Sequence, residues 1–463
     1  MAACAAQGEA AVSEPLELVA DGFSFPTSLA FDDEGAIYVG ESGLSFAGAP
    51  AGGRVWRIDA TGARELVAEG FAAPLNGLTF HDGALFVSEA SRITRLARDG
   101  TTTVLLDGLP GPGNYHTNMT VVGPDERLYF SQGAMTNTGI VGLDAYELGW
   151  LRQLPHATDI PGYDITLTGR NIETANPLSD DPNARARTGA FCPFGTPTTA
   201  GEQRKADIPA TAAVMRCELD GSRLELVAWG LRNAFALGFA ADGRLLAIDQ
   251  GADDRGSRPV ANAPDALYAV HEGAWYGWPD FIAARPITSP EFRPTRGPAP
   301  EFLLAHHADL PPPEPPLVEF DPHVAAVKFD TAPDGTLIVA LFGDEAPMTA
   351  PDTGRAGRSL ARVELPAAND PGRVETLDVA QLQRPIDVRF DTQGALYVLD
   401  FGRFEMTDHG VDADAASGKL WRLATPSPTF DATAQAKRTS DPAVQRPFLR
   451  PARPDADSAI ERV

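Results

Sequence analysis

Along most of the chain, short apolar runs come in pairs separated by a turn. Six segments carry the pattern: TSLAFDDEGAIYVGESG from Thr27, NGLTFHDGALFVSEAS from Asn76, MTVVGPDERLYFSQG from Met119, FALGFAADGRLLAIDQG from Phe235, AAVKFDTAPDGTLIVALFG from Ala325 and PIDVRFDTQGALYVLDFG from Pro385. Two β-prone runs around an Asp/Gly-type turn predict a hairpin in each. A third run follows: GRVWRID, SRITRLA, AAVMRCEL, DALYAVHE, RSLARVEL and GKLWRL. Apolar and polar residues alternate in these runs, so each is expected to be a half-buried strand. A fourth run closes the unit, as in RELVAEG, TVLLDG and LELVAWG. Repeats of four strands predict blades around a central channel.

The ends of the repeat array sharpen this expectation. LELVADGF at Leu16–Phe23 has the form of a fourth strand, yet no repeat precedes it, and the sixth repeat stops after GKLWRL. The N-terminal strand is therefore predicted to complete the last blade, which hides sheet edges that would otherwise pair with other chains. The predicted fold is all-β: a six-bladed β-propeller over residues 16–423, after a disordered segment 1–15 and before an irregular tail 424–463. Ala134–Asp207, between the third and fourth repeats, and Tyr276–Pro316, between the fourth and fifth, are rich in Pro, Gly, Asn and Asp. They are expected to be long loop insertions, which on a rigid scaffold often carry function.

Composition narrows the partners. The chain holds 38 basic and 63 acidic side chains, a net charge of −25. Such a surface repels phosphate backbones and anionic lipid, so nucleic acid is not an expected partner. No apolar run is long enough to span a bilayer. The opening MAACAAQGEAAVSEP lacks the basic and apolar regions of a signal peptide, but Ala2-Ala3-Cys4 resembles the end of a bacterial lipobox. Two alternatives stand: a lipid anchor at Cys4 on an exported, periplasmic or extracellular protein, or an Ala-rich disordered start. Three cysteines exclude a disulfide scaffold and a Cys-rich metal site. Cys192 and Cys217 flank one insertion and are expected either to pair or to remain two buried thiols.

In a propeller, the links that enter the inner strands and the turns after the second strands meet at one mouth of the channel. The links place Asn76, His116, Asn118, Arg232, Asn233, His323 and Arg384 there; the turns place Glu41, Glu89, Gln132, Asp249 to Asp254, Asp344 and Asp400. His116 is a candidate base for a substrate hydroxyl, against a histidine that merely ties loops. Arg232 is a candidate for holding an anion or stabilising oxyanion charge, against an interblade salt bridge. DQGADDRGSRP from Asp249 sets three carboxylates among glycines, which suits Ca²⁺ as well as it suits solvated turn acids. Trp275, Tyr276 and Trp278 of GAWYGWPDF are expected to be structural.

These segments together resemble the glucose/sorbosone dehydrogenase family, whose soluble glucose dehydrogenase members are six-bladed propellers using pyrroloquinoline quinone (PQQ). The resemblance runs through most of Leu16–Leu423 and rests chiefly on GLRNAFALGFAADGRLLAIDQGADDRGSRP and DALYAVHEGAWYGWPDF, with support from YHTNMTVVGPDERLYFSQG. It implies oxidation of a sugar-like substrate, with His116 as the general base and Arg232 and Asn233 touching cofactor and substrate. Asn118 lies beside them as a further cofactor contact, and Arg384 is implied to grip a PQQ carboxylate. Backbone carbonyls of Gly251 and Ala252, with Asp253 and Asp254 beside them, are the implied Ca²⁺ site. Electrons would then leave to a separate acceptor, since no Cys-x-x-Cys-His occurs in the chain.

The chain departs from the family pattern at three places. Ile386 stands where a second arginine is expected, Asp344 and Glu345 where a lysine is expected, and Leu75 where a glutamine is expected. PQQ carries three carboxylates, so these changes weaken its binding unless Arg355, Arg358 or Lys328 substitutes. Two other functions compete. One is a lactonase-like hydrolase holding a divalent cation on Glu41, Asn76, Asn233 and Asp400. The other is a non-catalytic binding propeller.

Overall fold

The computed structural model describes residues 16–343, 356–366, 372–377, 379–407 and 410–423. Cys4 with segment 1–15, the tail 424–463, and Asp344, Glu345 and Arg355 lie outside the described residues.

All six paired runs form antiparallel hairpins, five of them in four-stranded sheets and the third in a five-stranded one. The first sheet runs Pro26–Phe31, Ile37–Glu41, Gly53–Ile58, Arg64–Phe71, and the second Gly77–His81, Ala84–Glu89, Arg92–Ala97, Thr102–Asp107. The third comprises Thr117–Val122, Arg127–Gln132, Ala213–Glu218 and Glu225–Trp229, extended by a parallel fifth strand, Ala274–Trp275. The fourth comprises Ala234–Phe239, Leu245–Asp249, Ala266–Ala269 and Val318–Glu319; the fifth Ala326–Thr331, Leu337–Leu341, Ser359–Glu364 and Arg373–Leu377. The sixth joins Pro385–Phe390, Leu396–Asp400 and Gly418–Leu423 to the N-terminal strand Leu16–Phe23, with Leu16 opposite Leu423 and Phe23 opposite Gly418. Among the described residues the chain is nearly all-β.

Burial explains why the second strands read as continuous apolar runs. Ile37–Glu41, Ala84–Glu89 and Leu337–Leu341 are buried at every position, because neighbouring sheets cover both faces. Third strands alternate, as in Gly53–Ile58, and outer strands such as Arg373–Leu377 are mostly exposed. Hydrogen bonds join neighbouring sheets around the inner strands, from the strands themselves or from a link or turn beside them. Ser28 Oγ donates to Asn76 O (2.7 Å), Asn76 Nδ2 to Thr117 O (3.2 Å), and Asn118 Nδ2 to Ala234 O (3.4 Å). Gln250 Nε2 donates to Ala326 O (3.4 Å), Arg389 Nη1 to Phe329 O (2.9 Å), and Leu29 N to Asp387 Oδ2 (2.9 Å). The last of these brings the sixth inner strand beside the first.

Both insertions differ from plain loops, and both sit inside a sheet's sequence rather than between sheets. Residues 134–207 separate the second and third strands of the third sheet and carry two short helices, Leu143–Glu147 and Trp150–Gln153. They also form the hairpin Asn171–Ala175 with Arg185–Gly189. Ile165–Leu167 pairs with Gln203–Arg204 on one side and, from the second insertion, Leu304–Ala305 on the other. Backbone N–H and C=O groups covered by a second layer need partners, and these small sheets supply them. A local core of Met135, Val141, Ala145, Trp150 and Leu151 supports the helices.

The expected pairing of Cys192 with Cys217 is not found: both are free and buried. Cys217 lies in a strand of the third sheet opposite Leu128, whereas the Cys192 thiol accepts from Arg204 Nη2 (2.7 Å) inside the insertion. Trp275, Tyr276 and Trp278 are buried in packing roles, with Trp275 stacked on Trp229 at 6.5 Å between ring centres. Among the described residues, no helix is long and apolar enough to cross a membrane.

Candidate functional site

The links entering the inner strands are held by acids at the ends of the second strands. Glu41 accepts from Ser24 N (2.6 Å), Glu89 from Ala72 N (2.6 Å), and Asp249 from Asn233 N (2.6 Å) and Arg232 N (3.1 Å). Asp400 accepts from Gln383 N (2.8 Å), Arg384 N (2.8 Å) and Gly402 N (3.1 Å). Charge-assisted bonds of this kind position a loop firmly. These acids thus aim the links, and the side chains on the links make the site.

A cavity of about 380 Å³ opens where the links converge. That is within the ~300–1,000 Å³ range of small-molecule clefts. His116, Asn118, Arg232, Asn233, Gly251, Ala252 and Asp253 all line it, so most of the sequence-selected residues meet. Asn76 and His323 line it as well.

An ordered line of amides crosses one wall. Asn76 Nδ2 donates to Asn118 Oδ1 (3.3 Å), Asn118 Nδ2 to Asn233 Oδ1 (2.8 Å), and Asn233 Nδ2 to Gln250 Oε1 (2.8 Å). Each amide fixes its neighbour's orientation, so the wall is rigid before any ligand arrives.

Arg232 and Arg255 share the Asp253 carboxylate, at 2.7 and 2.9 Å. Arg232 also donates to Gln250 O (2.8 Å), to Gly251 O and to Tyr115 Oη, and lies over the Tyr115 ring at 4.4 Å. Burial opposes ionisation of Asp253, but Arg232 and Arg255 together hold its carboxyl below the usual range. Burial acts alone on His116 and lowers its pKa to about 4, so the imidazole is neutral at pH 7. Its side chain makes no hydrogen bond among the described residues, and Nδ1 is buried without a partner. Burial raises Asp249, behind the wall, to about 7 and Asp265, on it, to about 6. Gly251 is required where it stands: a Cβ there would lie 2.6 Å from the carbonyl oxygens of Ala263 and Pro264.

Of the residues to which the resemblance gives a role, Asp254 and Arg384 do not join the group, and of the other mouth candidates Glu41, Glu89, Gln132, Asp249 and Asp400 do not line the cavity. Asp254 turns outward and accepts from Thr295 Oγ1 (3.0 Å). Arg384 is buried outside the cavity, donating to Phe404 O (2.6 Å) and Glu405 Oε2 (3.1 Å), with the Phe342 ring 4.9 Å away. Sequence reasoning missed Tyr115, Arg255 and Asp265 as cavity residues. Tyr115 adjoins His116 and Arg255 follows the acidic turn, but side-chain direction in a turn has no periodic signal to read.

The hydrolase ligand set is not assembled. Asn76 and Asn233 face the cavity, whereas Glu41 and Asp400 hold backbone N–H groups. Among the described residues, no group of three or more His, Cys, Asp or Glu is arranged to hold a metal.

The fold matches known structures across most of the chain. A putative oxidoreductase (glucose dehydrogenase) from Thermus thermophilus matches at 17% identity and TM-score 0.53, covering 88% of this chain and 99% of that one. The PQQ-bound aldose sugar dehydrogenase from Streptomyces coelicolor matches at 17% identity and TM-score 0.53, covering 88% and 96%. The pyranose dehydrogenase PQQ domain from Coprinopsis cinerea matches at 14% identity and TM-score 0.53, covering 88% and 95%. No family model and no curated protein matches by sequence. The chain thus has the fold of sugar dehydrogenases of the propeller type.

The described residues do not fit PQQ with Ca²⁺. The carbonyl of Gly251, which would face the cation, already accepts from the Arg232 guanidinium. The described cavity wall carries two guanidiniums with one carboxylate between them, against the three carboxylates of PQQ. Of the named substitutes, Arg358 forms a two-pronged pair with Glu405 (2.6 and 2.7 Å). Lys328 is buried outside the cavity, on Thr27 O, Ser28 Oγ and Asn76 O.

Proposed function

We propose that this chain is a closed six-bladed propeller, a single domain over residues 16–423, that oxidises a sugar or related polyol at the mouth of its channel. The order of inner strands, with the sixth beside the first, supports closure. The sugar-dehydrogenase reading is supported by the fold and by one observation above the rest: a neutral imidazole without a hydrogen-bond partner on a cavity wall that also carries Arg232.

In this reading the amide line and His323 hold substrate hydroxyls. One nitrogen of His116 carries the ring proton, and the other accepts the proton of the reacting carbinol. The carbinol carbon gives its hydride to a two-electron acceptor, which returns the electrons to a separate carrier. Arg232, pinned by Asp253 and Gln250 O, stabilises negative charge as it develops on oxygen. Neither PQQ nor Ca²⁺ enters this scheme, because the wall does not match them. An exported setting belongs to the same proposal and rests on the Ala2-Ala3-Cys4 pattern alone.

The test is oxidation of a panel of aldoses and polyols by the purified protein, with a soluble quinone as acceptor. Substrate-dependent reduction that falls at least about a hundredfold in His116→Asn is expected. Equal turnover in the variant removes the reading.

A further inference from the structure

The cavity is two-sided in a way the reaction scheme does not use. One wall is polar and holds both guanidiniums, Arg232 and Arg255. The wall contributed by the fifth and sixth sheets is apolar: Val327, Phe342, Ile386 and Phe401. Cations nearby are committed outside it. Arg384 and Arg358 bind Glu405, and Lys328 reaches across to the first and second sheets, 3.5 Å from Asp387.

Charge balance limits what this space accepts. Arg232 and Arg255 carry two positive charges, and Asp253 between them removes one. Asp144, within electrostatic reach of Arg255, and Asp265, on the wall itself, reduce the field further. A carboxylate pressed against Ile386 and Phe401 would lose its hydration and gain no counter-ion among the described residues, which is strongly unfavourable.

From this we infer that the cavity binds a ring compound with one anionic group, its charge at Arg232 and Arg255 and its apolar face on Phe342, Ile386 and Phe401. The inference rests on the oxidoreductase reading only in calling that compound the electron acceptor. It replaces a tricarboxylate with an acceptor that is anionic at one end. Phe342 and Phe401 pack edge-to-face, with ring centres 5.4 Å apart and planes 73° apart, so this wall offers a fixed apolar surface.

Direct binding to the full chain tests this without turnover. Anthraquinone-2-carboxylate, its uncharged 2-hydroxymethyl analogue and PQQ with Ca²⁺ are titrated by calorimetry. The monoanion is expected to bind at least about tenfold tighter than either of the others. Arg255→Gln is expected to erase its advantage over the uncharged analogue. Ile386→Arg, which puts a cation on the apolar wall, is expected to tighten PQQ at least about tenfold. Val327→Lys makes the same test if Ile386→Arg fails to fold.

PQQ binding as tightly as the monoanion to the unaltered protein overturns the inference. So does a monoanion that binds no better than its uncharged analogue, or fails to bind at all. The sugar-oxidation reading stands or falls separately, on turnover with soluble quinone.

Discussion

His116 is unusual because its buried Nδ1 has no partner among the described residues. A buried ring nitrogen normally finds a partner, yet this half-buried imidazole is neutral and unbonded there, beside a guanidinium. Its depressed pKa makes a definite prediction. The kcat/KM of the protein for its sugar should hold from neutrality downward and fall only near pH 4, not near the ordinary histidine value. A limb near 6.5, measured with a pH-insensitive acceptor, would contradict a buried base. Arg232 is tied as firmly as His116 is free. Replacing it by Met leaves Asp253 with Arg255 alone, so the carboxylate keeps one partner and loses one charge-assisted bond, a cost of about 1.5–3 kcal/mol. Chemical denaturation reads that loss, and Asp253→Asn added to the variant, which leaves Arg255 without its carboxylate, should deepen it.

Residue identity alone placed His116, Asn118, Arg232 and Asn233 at one mouth, because each precedes or opens an inner strand whose pattern is unmistakable. The same logic put Arg384 there and was not enough. Its backbone occupies the expected link, but Glu405 and Phe404 O, from a hairpin after the sixth sheet's second strand, draw the guanidinium outside the cavity. Partners that arrive from distant loops leave no trace in local sequence. Arg255 shows the converse, being recruited by Asp253 and Tyr115 although its own neighbours suggested only a turn.

At the scale of elements, the amide line and the capping acids do most of the aiming. Asn118→Ala removes the central amide and strands both the Asn76 donor and the Asn233 acceptor. A cost of about 1–3 kcal/mol is expected, with a larger effect on KM than on kcat, since the line holds substrate rather than moves protons. Asp249 gives a pH test of the same architecture. Its folded pKa is raised to about 7 from 3.8, so the stability it contributes is full below 3.8 and lost as pH rises through about 7. Asp249→Asn should therefore gain on the parent between about pH 4 and about pH 8 by roughly 1–3 kcal/mol. Melting curves of both proteins across that window measure it, and a difference that does not change with pH would contradict the assignment.

The insertions were legible as extra chain but not as structure. Pro- and Asn-rich sequence reads as loop, whereas strands of two or three residues, such as Gln203–Arg204, are too short for any period to register. Pairing makes them strands, within one insertion (Ile165 with Arg204) and between the two (Leu167 with Leu304).

For the whole molecule, the decisive join is between the ends of the repeat array. Leu16–Phe23 covers the edge of Gly418–Leu423, and its Leu16, Ala20 and Phe23 enter the core with Leu420 and Trp421. Removing residues 1–23 exposes that edge and that apolar surface, so aggregation at concentrations where the full chain stays monodisperse is expected, read by light scattering. The join was readable in advance because a fourth strand lacked its repeat and a repeat lacked its fourth strand. In the proposed ring, sheets distant along the chain bring residues 116, 232 and 253 to one wall of the cavity and 342, 386 and 401 to the other.

The most direct measurement is the kinetic isotope effect on oxidation of an aldose deuterated at C1, with a soluble quinone as acceptor. Hydride loss coupled to proton removal by His116 predicts a primary effect on kcat above about 2 near pH 7 and loss of measurable turnover in His116→Asn. No isotope effect under conditions where chemistry limits the rate, or turnover indifferent to His116, would contradict the assignment of this cavity to sugar oxidation.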